Sequence, residues 1–182
     1  MVRHYHGFFI LRDSLYRGAD EAVLITDRGC AASDTLATSY ILSCAVRKLD
    51  YDIVLCGRQA IDGDTAQVGP QLAEKLGIPQ ITYLEELIDL SGKSITVKRN
   101  IGNGWQEVKG TLPVLLTVLG EANEPRVPCA KRVMKYKKAL SKAELNGTEN
   151  ADAACKALED KGLLIKQVDL ASLNADMQWC GR

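Results

Sequence analysis

Apolar and polar positions fall in blocks along this chain, and the period of the blocks changes as it proceeds. Leu11 to Arg17 has helical spacing and stops at Gly18, whereas Ala22-Val23-Leu24-Ile25-Thr26 is a β-branched run that reads as a buried strand. Ser33-Asp34-Thr35 offers N-cap chemistry to a helix running to about Lys48, with Leu36, Tyr40, Ile41 and Cys44 near helical spacing. Tyr51-Asp52-Ile53-Val54-Leu55-Cys56 is the next strand, ended by Gly57. The spacing then predicts a helix from about Thr65 to Leu76, closed by Gly77, and a further strand at Ile81-Thr82-Tyr83-Leu84. Strands alternating with helices across short turns imply right-handed crossovers and a parallel sheet covered on both faces.

After residue 90 the pattern alternates with period two. Ser94-Ile95-Thr96-Val97-Lys98-Arg99 and Trp105-Gln106-Glu107-Val108-Lys109 flank Gly102-Asn103-Gly104, a hairpin in which Asn-Gly is expected to supply the positive φ angles. Pro113-Val114-Leu115-Leu116-Thr117-Val118-Leu119 reads as a buried strand with proline at its first position, where no ladder donor is needed. Beyond residue 120 no comparable apolar run occurs until Leu163-Leu164-Ile165, so this tail is expected to extend away from the sheet. The architecture expected is α/β: a Rossmann-like parallel sheet flanked by helices, with a β-hairpin excursion and an extended C-terminal tail. The division expected is 1–120 for the α/β domain and 121–182 for the tail.

Composition narrows the class. With 182 residues, 46% hydrophobic and 25% charged, the chain is ordinary globular material and not a disordered or low-complexity one. No apolar run approaches the roughly 18 residues a membrane span requires. Phe8-Phe9-Ile10-Leu11 is too short for a signal-peptide core. The six cysteines lack zinc-ribbon or thioredoxin spacing, which points to reduced thiols in a cytosol-like compartment. Cys44 and Cys56 read as core filling, Cys30 and Cys129 as loop residues without a base to activate them. His4 and His6 read as part of a mobile amino-terminal strand, with no third ligand for a metal. Trp105 and Trp179 are expected to pack.

The zero net charge hides an uneven distribution, because the segment from Arg126 to Lys142 carries seven basic residues and no acidic ones. Only Tyr136 could stack a base within it. A solvated positive face, or one meeting an acidic partner surface, is therefore favoured over RNA binding.

The stretch that carries chemistry is Cys56-Gly57-Arg58-Gln59-Ala60-Ile61-Asp62-Gly63-Asp64-Thr65-Ala66-Gln67-Val68-Gly69-Pro70. It leaves the carboxyl end of a parallel strand and enters a helix, the edge at which open α/β sheets bind ligands. Gly57 and Gly63 allow sharp turns and close backbone approach. Asp64 or Thr65 is expected to cap the helix, with Gln67 completing a capping box. First-turn amides and the helix dipole favour an anion, with Thr65 and Gln67 as further phosphate ligands and Gln59 and Ala60 along a nucleotide's flank. The same residues also suit a plain glycine-rich turn with aspartate caps. The segment is neither a P-loop nor a dinucleotide fingerprint.

The run Gly57 to Pro70 resembles the signature of the electron transfer flavoprotein β subunit (the FixA family). Leu11-Arg12-Asp13-Ser14-Leu15, Gly18-Ala19-Asp20-Glu21-Ala22 and Asp34-Thr35-Leu36-Ala37-Thr38-Ser39-Tyr40 resemble the family upstream. Leu112-Pro113, Ala122-Asn123-Glu124-Pro125-Arg126 and Met134-Lys135-Tyr136-Lys137-Lys138 resemble it downstream, in the same order. The resemblance implies an electron carrier subunit without enzymatic chemistry of its own. It would pair with an FAD-carrying α subunit and serve an acyl-CoA or related dehydrogenase in a bacterial cytoplasm.

It further implies that Gly57, Arg58, Gln59, Ala60, Asp62, Gly63, Asp64, Thr65, Ala66, Gln67 and Val68 hold an adenine nucleotide, FAD or alternatively AMP. Arg126, Ala130, Lys131, Met134, Lys135, Lys137 and Lys138 fall in the segment that docks partners in this family. Nothing in Met1 to Ile10 resembles the family's first strand, and its C-terminal segment has no counterpart, so a β subunit short at both ends is expected. No metal, nucleic acid or membrane insertion is implied. A stand-alone nucleotide-binding module and a non-binding assembly subunit are the alternatives.

Overall fold

The computed structural model describes residues 4–61, 63–146 and 150–181, which gather into two compact units. The units interleave along the chain. The larger takes 32–124 and 174–181, the smaller 4–31 and 125–173.

The larger unit is built on a five-stranded sheet. Its strands are β2 (Ile53–Gly57), β3 (Gln80–Ser91), β4 (Ser94–Asn100), β5 (Trp105–Thr111) and β6 (Val114–Val118), in the order β2-β6-β3-β4-β5. (Strand β1, Val23–Ile25, belongs to the smaller unit.) β2, β6 and β3 are parallel, and β3, β4 and β5 form the antiparallel meander expected of the hairpin pattern. β6 sits between β2 and β3, which is why four of its five residues are apolar: Val114, Leu115 and Leu116 are buried from both sides. Burying each such side chain stabilises the fold by about 1.5–3 kcal/mol. On one face Leu116 and Val114 join Ile81, Leu84, Ile95 and Val97 in a core. On the other, Leu115 packs against Leu72 and Ala73 of helix α3 (Val68–Leu76).

Local chemistry explains most boundaries. Helix α2 (Thr35–Val46) is capped by Asp34, whose carboxylate accepts from the Ala37 amide at 2.8 Å. α3 ends where Gly77 turns left-handed, at φ 69°, a conformation glycine adopts at no steric cost. β3 outruns its expected span because it changes partners. Its first residues lie parallel to β6, and a bulge around Tyr83, at φ 58°, turns the remainder against β4. In the hairpin turn the positive φ falls on Gly102, at 90°, and not on Asn103-Gly104.

The smaller unit departs most from expectation. The amino-terminal residues form helix α1 (His4–Arg17) and not a strand, and β1 pairs with a second sheet. The carboxy-terminal residues expected to extend away are folded into α4 (Ala130–Tyr136), β7 (Leu140–Ser141), α5 (Lys142–Leu145), α6 (Ala151–Asp160) and β8 (Leu164–Val168). β1, β8 and β7 make a three-stranded parallel sheet in that order. Polar anchors join the buried Phe8, Leu15, Leu145, Ile165 and Leu170 in holding the unit together. Arg12 Nη1 donates to the Ala139 carbonyl at 2.8 Å and to Glu144 Oε1 at 2.9 Å, while Glu144 Oε2 accepts from the Ser141 amide at 3.0 Å.

Gly69 gives a stability test. A β-carbon there would stand 2.7 Å from Thr117 Cγ2, and Thr117 cannot rotate freely because its Oγ1 accepts from the Tyr83 amide at 3.0 Å. Gly69→Ala is expected to cost about 1–3 kcal/mol in urea unfolding. Thr117→Ser removes the methyl and keeps the hydroxyl, so the double variant should fall short of the summed costs by about 1 kcal/mol.

Candidate functional site

The candidate loop begins where β2 ends. Gly57 is in register with Val118, and the Arg58 amide donates to the Val118 carbonyl at 3.2 Å, one residue beyond the strand. The chain then leaves the sheet. Gly57, Arg58, Gln59, Ala60, Gly63, Asp64, Thr65 and Gln67 are exposed, with Ala66 and Val68 half-buried. Asp62 lies outside the described residues. Inside the loop the Asp64 amide donates to the Ala60 carbonyl at 3.0 Å, and Gln59 Nε2 donates to Asp64 Oδ1. Asp64 and Ala66 both sit in the left-handed region, at φ 48° and 52°. For alanine that conformation is unfavourable, a local strain typical of functional loops.

The helix start differs from expectation. α3 begins at Val68, so Asp64 and Thr65 do not cap it, and Gln67 occupies the cap position without a side-chain bond. The two left-handed residues turn the chain sharply and delay the helix. Val68 and Gly69 occupy the first two positions of the helix, and Pro70 follows with no amide to offer.

Four further side chains lie near the loop. Thr35, at the start of α2, donates from Oγ1 to Gln67 Oε1 at 3.2 Å and accepts from Gln71 Nε2 at 3.4 Å. Gln71 Oε1 is buried without a partner. Beside Arg58 lies an open depression of about 770 Å³, walled by Tyr83, Leu119 and Ile101 and bearing Arg99. Arg99 Nη2 donates to Thr82 Oγ1 at 2.8 Å, and its Nε is buried without a partner. Two carboxylates line the same depression: Glu85 is engaged by Asn100 at 2.6 Å and Lys98 at 3.7 Å, and Glu121 is exposed. Sequence inspection missed Thr35, Tyr83, Gln71 and Arg99 as a group because they come from four separate elements. Only the polarity of Arg99 within a strand pattern hinted at it.

The basic segment lies in the smaller unit. Along α4 and its flanks, Val127, Ala130, Lys131, Met134, Lys135 and Lys138 are exposed, and within the helix Ala130, Lys131, Met134 and Lys135 share one helical stripe. Val127 is 79% and Met134 65% exposed, so two apolar side chains stand among lysines. Lys137 is exposed beside them and lies 3.5 Å from the Met134 sulfur. Arg126 is exposed, its carbonyl accepting from Arg17 at 2.7 Å. Trp105 and Trp179 are also exposed, against the expectation that they pack.

Residues 7–174 match the electron transfer flavoprotein domain. The chain belongs to the electron transfer flavoprotein family. Within it, the chain falls among the β subunits. The electron transfer flavoprotein subunit β of Thermoanaerobacterium thermosaccharolyticum is 52% identical over 123 residues, covering 68% of this chain and 47% of that protein. That of Megasphaera elsdenii is 45% identical over 158 residues, covering 83% and 56% respectively. The acryloyl-CoA reductase electron transfer subunit gamma of Anaerotignum propionicum is 46% identical over 136 residues, covering 72% and 51%. The chain thus spans about half the length of the curated relatives it matches. Among the described residues no helix is long and apolar enough to cross a membrane.

The cysteines of this chain differ in reactivity for physical reasons. The Arg132 and Lys131 amides beside the exposed Cys129 sulfur hold its pKa below that of an ordinary thiol, while burial pushes the Cys56 thiol up. Since the thiolate is the nucleophile, iodoacetamide should label Cys129 well before Cys56. The labelling rate at Cys129 should rise with pH through a midpoint below that of free cysteine, as followed by peptide mass spectrometry.

Proposed function

We propose that this chain acts as the β subunit of an electron transfer flavoprotein, holding an adenine nucleotide in the loop from Gly57 to Val68 and pairing with an FAD-carrying α subunit. The observation that carries this reading is the strained, exposed loop at the carboxyl ends of β2 and β6, in a chain of this family. Gly57, Arg58, Gln59 and Ala60 would lie along the ribose and adenine. Asp64, Thr65, Ala66, Gln67 and Val68 would surround the phosphates with backbone amides and the Thr65 and Gln67 side chains.

FAD is favoured over AMP as the nucleotide. The depression beside Arg58 leaves room for more than a mononucleotide, and Arg58 and Arg99 supply donors there. The subunit performs no bond chemistry itself. It would position a flavin and pass electrons between an acyl-CoA or related dehydrogenase and an acceptor, in a bacterial cytoplasm. Residues 1–120 would serve the nucleotide and 121–182 the partner, with Arg126, Ala130, Lys131, Met134, Lys135, Lys137 and Lys138 as contacts. Neither nucleic acid nor membrane is among the partners proposed.

Gly63 offers a clean test. A β-carbon there meets nothing within 4 Å, and its φ is not positive, so Gly63→Val should leave stability within about 0.5 kcal/mol of the parent. It would nonetheless place a branched side chain where the backbone must approach the ligand. Loss of FAD and AMP binding by titration calorimetry on the co-expressed αβ complex, at unchanged Tm, supports the site. Undiminished affinity moves it elsewhere. A parent chain that binds neither nucleotide yet still captures an α subunit is an assembly subunit. One that binds nucleotide and no α subunit is a stand-alone module.

The lysines are tested by ionic strength. Replacing Lys135, Lys137 and Lys138 by Gln should slow encounter with an acyl-CoA dehydrogenase about tenfold at low salt and little near 0.5 M, because exposed charges are screened beyond a few ångströms there. Stopped-flow reduction of the complex at several salt concentrations measures this.

A further inference from the structure

We infer that Arg132 is a positioning residue: it makes no partner contact, and instead tethers the docking helix α4 to the carboxyl end of α1. This rests on the reading of 126–138 as the partner-docking segment.

α4 has little to hold it in place. It spans seven residues, has no side-chain N-cap bond and contains no buried residue. A helix that short is marginal unless something outside it fixes its ends. Its exposed stripe runs through Ala130, Lys131, Met134 and Lys135, while Arg132, Val133 and Tyr136 are half-buried on the other side. Arg132 therefore points away from the stripe that a partner would meet.

What Arg132 meets is the end of α1. Its Nη1 donates to the Ala19 carbonyl at 2.8 Å and the Leu15 carbonyl at 3.3 Å, and Nη2 lies 3.5 Å from Asp20 Oδ1. The last carbonyls of a helix lack intrahelical donors and carry the negative end of its dipole, so a guanidinium is well matched there. Two further bonds run between the same elements. The Cys129 amide donates to the Tyr16 carbonyl at 3.0 Å, and Arg17 Nη1 donates to the Arg126 carbonyl at 2.7 Å. The Cys129 carbonyl in turn accepts the Val133 amide at 2.8 Å, inside α4. The tether thus grips the residue from which the helix starts. Of the basic residues in this run, Arg132 holds α4 in place, leaving the lysines of the stripe aimed outward.

The test compares Arg132→Ala and Arg132→Lys with the Lys135, Lys137 and Lys138 to Gln variant, all in the αβ complex. Hydrogen exchange should quicken at the Cys129 and Val133 amides in Arg132→Ala while the β6 amides stay protected, and Arg132→Lys should restore part of the protection. With an acyl-CoA dehydrogenase as the varied partner, KM should rise roughly tenfold in Arg132→Ala, the cost of about one charge-assisted hydrogen bond, with kcat held. The slope of the rate against salt should stay that of the parent, unlike in the lysine variant. Unchanged exchange at Cys129 and Val133 overturns the tether. Quickened exchange with an unchanged KM, in an assay where the lysine variant does raise KM, overturns the positioning role alone. No KM change in either variant removes the docking reading, and the positioning role with it.

Discussion

Thr117, in β6, the central strand of the parallel β2-β6-β3 trio, is the residue on which the candidate site depends. Its methyl leaves no space for a side chain at position 69, which brings α3 close to the sheet, and its hydroxyl accepts the Tyr83 amide where β3 bends. Its backbone is in register with Cys56, next to the first residue of the loop. One buried side chain therefore sets the origin of the loop, the helix that receives it and the bend that opens the neighbouring depression. Because both ends of the loop are held, its exposed middle can remain in left-handed conformations that a free chain would leave. That is the balance expected of a ligand loop: a rigid frame around a segment with few buried contacts of its own.

The smaller unit reaches its fold by different means. It has short strands, and hydrogen bonds from charged side chains supplement an apolar core that includes Phe8, Leu15, Leu145, Ile165 and Leu170. Arg12 ties Ala139 and Glu144 to α1, and Glu144 in turn completes the capping box at Ser141. Arg132 and Arg17 tie the segment before and within α4 to the carboxyl end of α1. Partly buried pairs of this kind are worth more than surface ones, because each partner would otherwise lose hydration without replacement. α1 is thus a common support of the unit, held along its carboxy-terminal half by hydrogen bonds with residues more than a hundred positions away.

Legibility followed the range of the interactions involved. The buried runs at 53–57, 81–84 and 114–118, the cap at Asp34, the left-handed Gly77 and the hairpin around Gly102 were readable because each rests on the residue itself or its near neighbours. The loop from Gly57 to Val68 was readable for the same reason, as a glycine-bearing junction of strand and helix. Its helix start was not, because Asp64 and Ala66 adopt left-handed angles that their residue types disfavour. The folded state of residues 130–168 was missed because its anchors are single charged side chains, which periodicity does not register.

The sequence by itself determined the family, the α/β class, the strands of the main sheet and the position of the candidate loop, since these depend on local pattern and on a motif of adjacent residues. Tertiary structure alone decided that β1 joins β8 and not the main sheet, and that Thr35, Gln71, Tyr83 and Arg99 gather near the loop. It also decided that one arginine of the basic run turns inward while the lysines face solvent. Strand partners and helix-end contacts are chosen by which surfaces meet once the chain has collapsed, and no single stretch of sequence contains both surfaces.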